Sequence, residues 1–181
     1  QGYTETEIKI LKEIFGVLPS VLEAYYRIAG RTEAFHQVQD QWILPEHFQK
    51  FDWLQQLDYL SLLNENQSVC RAGIRREDLS LPNPPVYCIE NDKNETLCAS
   101  TTSEFLSASL AYEAVFHFAY SPEEFYWITE EEMAFLKSKL TKLPFELAHW
   151  MSGMKVSLFQ NEVDNMVTVM DCGDGDCNIL Y

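Results

Sequence analysis

Cys172 and Cys177 are separated by Gly173, Asp174, Gly175 and Asp176, residue types that could hold a metal ion. A zinc site usually takes two ligand pairs, and the chain offers no second cysteine pair and no histidine pair at ligand spacing. Asp171, Asp174 and Asp176 do not follow the spacing of a calcium loop. A glycine-rich hairpin turn is the better reading of this segment. The five cysteines are an odd number, and no secretory leader precedes them, which predicts reduced thiols and a cytoplasmic protein. Cys88 and Cys98 stand in strand-like runs and read as small buried hydrophobes, so no metal is expected.

Four histidines remain as potential acid–base groups. His36 and His47 fall in a stretch of ambiguous pattern, His117 closes a helix where a cation suits the dipole, and His149 precedes Trp150. No two are spaced to share a helix face. The chain also lacks a phosphate-cradling loop, a dinucleotide fingerprint, a nucleophile elbow and a zinc helix. No catalytic residue and no cofactor are therefore expected, and binding becomes the expected kind of work.

The charge supports that expectation. Asp and Glu number 28 against 13 Lys and Arg, a net charge of −15 with histidine neutral. Such a surface repels phosphate backbones, which argues against nucleic acid, and it speeds encounter with a basic protein. The candidate partner-binding carboxylates are Glu90, Asp92 and Glu95 at one hairpin tip, and Asp174 and Asp176 at another. A tip is exposed, and its carboxylates have no structural partner to serve. Glu130 to Glu132 differ, because they follow Thr129 at a helix start, where capping and the dipole account for them. The aromatics Trp42, Trp53, Tyr59, Trp127 and Trp150 are possible interface anchors, although core packing is the commoner use of such residues.

The elements that would position these groups follow from pattern. Thr4 to Glu7 is a capping box, and Ile8, Leu11, Ile14, Phe15 and Leu18 then recur at helical spacing until Gly16 and Pro19. Ser20 is expected to cap a second helix ending at Gly30, with Val21, Leu22, Tyr25, Ile28 and Ala29 inward. Trp42 to Leu44 read as a short strand and Pro45 as the start of a helical turn. Residues 59–63, 69–72, 86–89 and 96–99 read as strands, the last pair as a hairpin. Thr101 to Glu104 opens a further helix. Ser121 to Glu124 and Thr129 to Glu132 repeat the capping signature, and Pro144 is expected to stop the last helix. Residues 155–159, 165–170 and 178–181 read as strands. No run of about 18 apolar residues exists to span a bilayer. The expectation is one α+β domain over residues 1–181, with a single mixed, largely antiparallel sheet flanked by helices. Gln1 and Gly2 read as a protease scar.

Several of these pieces, in their order, resemble the SUKH superfamily, which includes the fungal cell-wall-assembly regulators of Smi/Knr type and many bacterial immunity proteins. Ile8–Phe15 running into Leu18-Pro19, then Leu22 to Tyr26 and Gly30, resemble the family's opening helices. Tyr59 to Gln67 with Val69 to Ile74 look like its strand, polar turn and strand. Asn83 to Tyr87 resemble its proline element, and Ser103 to Leu106 with Phe116 the helix that follows. The match covers residues 5–118. The chain departs from the pattern in lacking a glycine-rich stretch after Gly30, and residues 119–181 are more individual.

The resemblance implies a SUKH-like mixed sheet flanked by helices, with no catalytic residues. It further implies an antidote that neutralises a toxin, often a nuclease, by direct binding. A nuclease carries a basic face for its substrate, which an acidic antidote could cover. A regulatory scaffold for an endogenous protein, and an enzyme with an unrecognised site, are the competing functions.

Overall fold

In the computed structural model, residues 2–36, 39–91, 94–117, 124–161, 165–173 and 177–180 are described. Helix α1 (Glu5–Phe15) starts where the capping box places it: the Thr4 hydroxyl accepts from the Glu7 N–H, and Glu7 accepts from the Thr4 N–H at 2.9 Å. It ends at Gly16, whose φ of +81° suits a residue without Cβ. Helix α2 (Ser20–Ala29) departs from expectation at its start. Pro19 occupies the cap, and the Ser20 hydroxyl instead donates to the Pro82 carbonyl at 3.2 Å. The Val21 N–H donates to the same carbonyl, so a long-range backbone acceptor has replaced the local cap.

The ambiguous stretch resolves into β1 (Gln41–Trp42) and two short helices, α3 (Pro45–Lys50) and α4 (Asp52–Gln55). Pro45 fits the first turn of α3, where its missing donor costs nothing. Strands β2 (Tyr59–Asn64), β3 (Cys70–Arg75), β4 (Val86–Glu90) and β5 (Asn94–Ala99) then pair antiparallel, with β1 outside β2. The register sets Cys70 opposite Glu90 and Cys88 opposite Thr96. Helix α5 (Thr102–His117) follows, its Glu104 N–H donating to the Thr101 hydroxyl at 3.2 Å.

The remaining elements are β6 (Tyr126–Ile128), α6 (Glu130–Lys139), β7 (Thr141–Trp150), β8 (Met154–Gln160), β9 (Met166–Asp171) and β10 (Cys177–Leu180). The capping signature around Pro122 lies outside the described residues, and an extended strand, β6, follows it. The second signature holds: the Thr129 hydroxyl accepts from the Glu132 N–H, and Glu132 accepts from the Thr129 N–H. Pro144 is not the stop of α6. It stands within β7, an edge strand, at a break in register between Lys142 and Glu146, where a missing donor removes no ladder bond.

The protein is α+β, but the single mixed sheet needs correcting to two five-stranded sheets, both antiparallel throughout. Their orders are β1-β2-β3-β4-β5 and β6-β10-β9-β8-β7. The facing edge strands β5 and β7 run side by side without a shared ladder. Irregular register at the β4–β5 and β7–β8 pairs accompanies this gap. Helix α5 lies against both sheets, and one apolar core runs through them, including Phe105 and Tyr112 of α5, Leu60 and Ile74 of the first sheet, and Leu147, Val156 and Leu158 of the second. Strand periodicity divides the second sheet. Val156, Leu158 and Met170 face that main core, while Phe159, Val167 and Val169 point the other way, onto Met133 of α6.

Candidate functional site

The expected tip carboxylates are not idle. Glu90 is half-buried at the end of β4 and accepts from the Ser152 N–H at 2.9 Å. Glu95 receives the Arg75 guanidinium at 2.7 Å. The premise that these groups lack structural partners fails for both, because β3 and the turn after β7 reach them. Asp92, Asp174 and Asp176 lie outside the described residues.

The histidines separate by environment. His36 is buried, pairs with the Tyr25 hydroxyl, and packs against Trp42 with ring centres 5.6 Å apart. Burial lowers its pKa to about 4, so it is a neutral core residue. His47 uses Nδ1 to accept from the Leu44 N–H at 3.0 Å. It lines a cleft of about 250 Å³ with Phe51, Trp53, Asn64, Ser68 and Arg71. His117 is exposed at the end of α5. His149 points its Nε2 at the Glu90 carboxylate, 3.7 Å away.

That contact belongs to a cluster which sequence spacing does not disclose. The Cys88 thiol, the Glu90 carboxylate and the His149 imidazole each offer one ligand atom, all within 4.8 Å of one another. Cys88 and Glu90 are two apart on β4 and so share a face, while His149 arrives from β7, 59 positions further on than Glu90. Cys70, on β3, hydrogen-bonds the Cys88 thiol. That bond, and then burial, push the Cys88 thiol far above its usual range, so by itself it is no nucleophile. Cys70, Cys88 and Cys98 are buried free thiols, the burial being what the strand reading anticipated for the latter two, and Cys172 is half-buried.

The turn that brings His149 to β4 is strained. Met151, Ser152 and Gly153 have φ of 25°, 56° and 89° in succession. Two non-glycine residues in this region cost free energy that surrounding contacts must offset. The Ser152 N–H on Glu90 is one such contact.

A second group of acids is buried. Glu113 of α5 accepts from the backbone N–H of Gln39 at 2.8 Å and of Asp40 at 3.2 Å. Asp40 accepts from the Asn66 N–H at 3.1 Å, and Glu65 from those of Gln67 and Val69 at 2.9 and 3.1 Å. These carboxylates fasten two loops to the core. Burial raises Asp40 to about 7 and Glu113 to about 8.

Of the five aromatics weighed as anchors, Trp42, Tyr59 and Trp150 are buried, Trp53 is partly exposed over Arg71, and Trp127 is 67% exposed. Other exposed aromatics were passed over by the sequence reading. Tyr126 is exposed on the side of β6 that faces α6, Phe135 of α6 is 66% exposed, and Phe125 is exposed but packs on Phe116, while register places Trp127 on the opposite face, that of Met170. Ile128, Phe135, Leu136 and Leu140 line a shallow groove of about 330 Å³, with Glu132 and Lys139 at its rim. The signal was available in α6: Phe135 falls off the face that Met133 and Leu136 turn to the sheet. No family model, curated protein or solved structure matches the chain.

Proposed function

We propose that this protein works by binding another protein, and that the face built from β6 and α6 is where it does so. The observation that carries this reading is the apolar groove between α6 and the second sheet, with Phe135 66% exposed at it and Tyr126 exposed on the same side of β6, whereas Trp127 falls on the opposite face. Large contiguous apolar exposure marks interaction surfaces, and aromatic side chains dominate binding hot spots. The face also lies in residues 119–181, the part that departs most from the SUKH-like pattern, where partner choice would be expected to vary. The net charge of −15 selects a basic partner. With the SUKH-like order of motifs, these features support an antidote that covers a basic toxin domain, such as a nuclease, and blocks it sterically. The partner-binding role moves from the Glu90 and Glu95 tip, whose carboxylates are paired, to the aromatic face.

Capture with the products of the genes flanking this one tests the reading, followed by binding kinetics on the complex obtained. Tyr126→Ala and Phe135→Ala should each weaken the complex by about 2 kcal/mol, roughly thirtyfold. Thermal unfolding should be nearly unchanged, because both side chains already face solvent. Full-strength binding by the double variant would remove this face from consideration. Inhibition of the captured partner's own activity would distinguish an antidote from a regulatory scaffold.

A further inference from the structure

We propose that Cys88, Glu90 and His149 form a binding site for a single zinc-class divalent cation at the junction of the two sheets. The three ligand types are a thiolate, a carboxylate and an imidazole, a donor set that zinc accepts. Their ligand atoms all lie within 4.8 Å of one another. In a tetrahedral zinc site the separations would be roughly 3.3–3.6 Å, as bond lengths of about 2.0–2.3 Å require. The Glu90–His149 separation of 3.7 Å nearly meets that range already. The site therefore needs a contraction of up to about 1.5 Å, which side-chain rotation supplies.

The surroundings have features of a built site. Cys88 is fully buried, while Glu90 and His149 are about a quarter exposed, which leaves an entry path and room for a water as fourth ligand. The Ser152 N–H fixes Glu90, and the Cys70 thiol contacts Cys88, so two of the three ligands are oriented from behind. The strained turn Met151–Gly153 holds that amide in place, which gives the unusual backbone a purpose. Coordination replaces the Cys88 S–H bond with a metal–sulfur bond and releases the proton to solvent. The bound ion would tie β4 of one sheet to β7 of the other, where no ladder joins them.

Cobalt(II) titration of the metal-stripped full chain tests this, because a thiolate ligand adds a near-ultraviolet charge-transfer band. One equivalent should produce the band, and zinc should displace the cobalt stoichiometrically. Cys88→Ser should abolish it, and Glu90→Gln or His149→Ala should each weaken cobalt binding about tenfold or more. The last two positions are partly exposed, so these variants keep the test decisive if Cys88→Ser fails to fold. Cys172→Ser, which removes a thiol outside this cluster, should leave the band intact. The site is refuted if no band forms, if Glu90→Gln and His149→Ala bind cobalt at full strength, or if the band disappears with Cys172→Ser. None of these outcomes depends on the β6–α6 face.

Discussion

Burial holds the carboxyls of Asp40 and Glu113 up to about 7 and about 8, where an unfolded chain holds them near 4. The folded state therefore binds more protons than the unfolded state between about pH 4 and pH 8. The stabilisation from these two groups is fully present below the unfolded value and is lost as pH rises through the folded values. Melting temperature should thus fall between pH 5.5 and pH 8.5. Glu113→Gln, which keeps an oxygen for the Gln39 and Asp40 amides, should flatten that fall. A pH profile of the variant parallel to that of the wild type would show that burial of Glu113 does not set the response. The same scale explains what spacing concealed. Glu90 reads as a free turn carboxylate because its partners, Ser152 and His149, are about 60 positions away. Nothing local in the chain marks such a contact.

Elements with local instructions were the readable ones. Capping boxes at Thr4 and Thr129 start α1 and α6 as their side-chain chemistry requires. Four of the five strands of the first sheet, β2 to β5, follow from runs of β-forming residues closed by polar turns. Thr129→Ala should accordingly cost about 1 kcal/mol, measured by urea unfolding, and Thr4→Ala a similar amount. Ser20→Ala should cost little as a cap, since Ser20 caps nothing and its hydroxyl bond to Pro82 is exposed. A loss at Ser20 equal to that at Thr129 would contradict this assignment. Where a distant partner decided the outcome, local pattern misled. Pro144 looks like a helix stop, yet it sits in an edge strand whose broken register tolerates it. Of the second sheet, β8, β9 and β10 were legible as strands but β6 and β7 were not, and its separation from the first was hidden because whether β7 joins β5 depends on pairing across more than 40 residues.

At the scale of the whole molecule, 28 acidic residues against 13 basic ones define a long-range field rather than a set of contacts. Added salt should slow association with a basic partner several-fold while leaving dissociation nearly constant, as stopped-flow mixing at low and high ionic strength would resolve. Equal rates at both would assign the charge to solubility alone. The arrangement of the two sheets has another consequence. Exposed strand edges are where folded chains recruit one another into growing fibrils. Here the long outer strands β5 and β7 turn toward each other. The edges left outward among the described residues are β1 and β6, two and three residues long. β5 and β7 thereby occupy part of each other's edge at their buried ends, Cys98–Ala99 and Leu147–Trp150. The net charge of −15 adds like-charge repulsion against edge-to-edge pairing of copies.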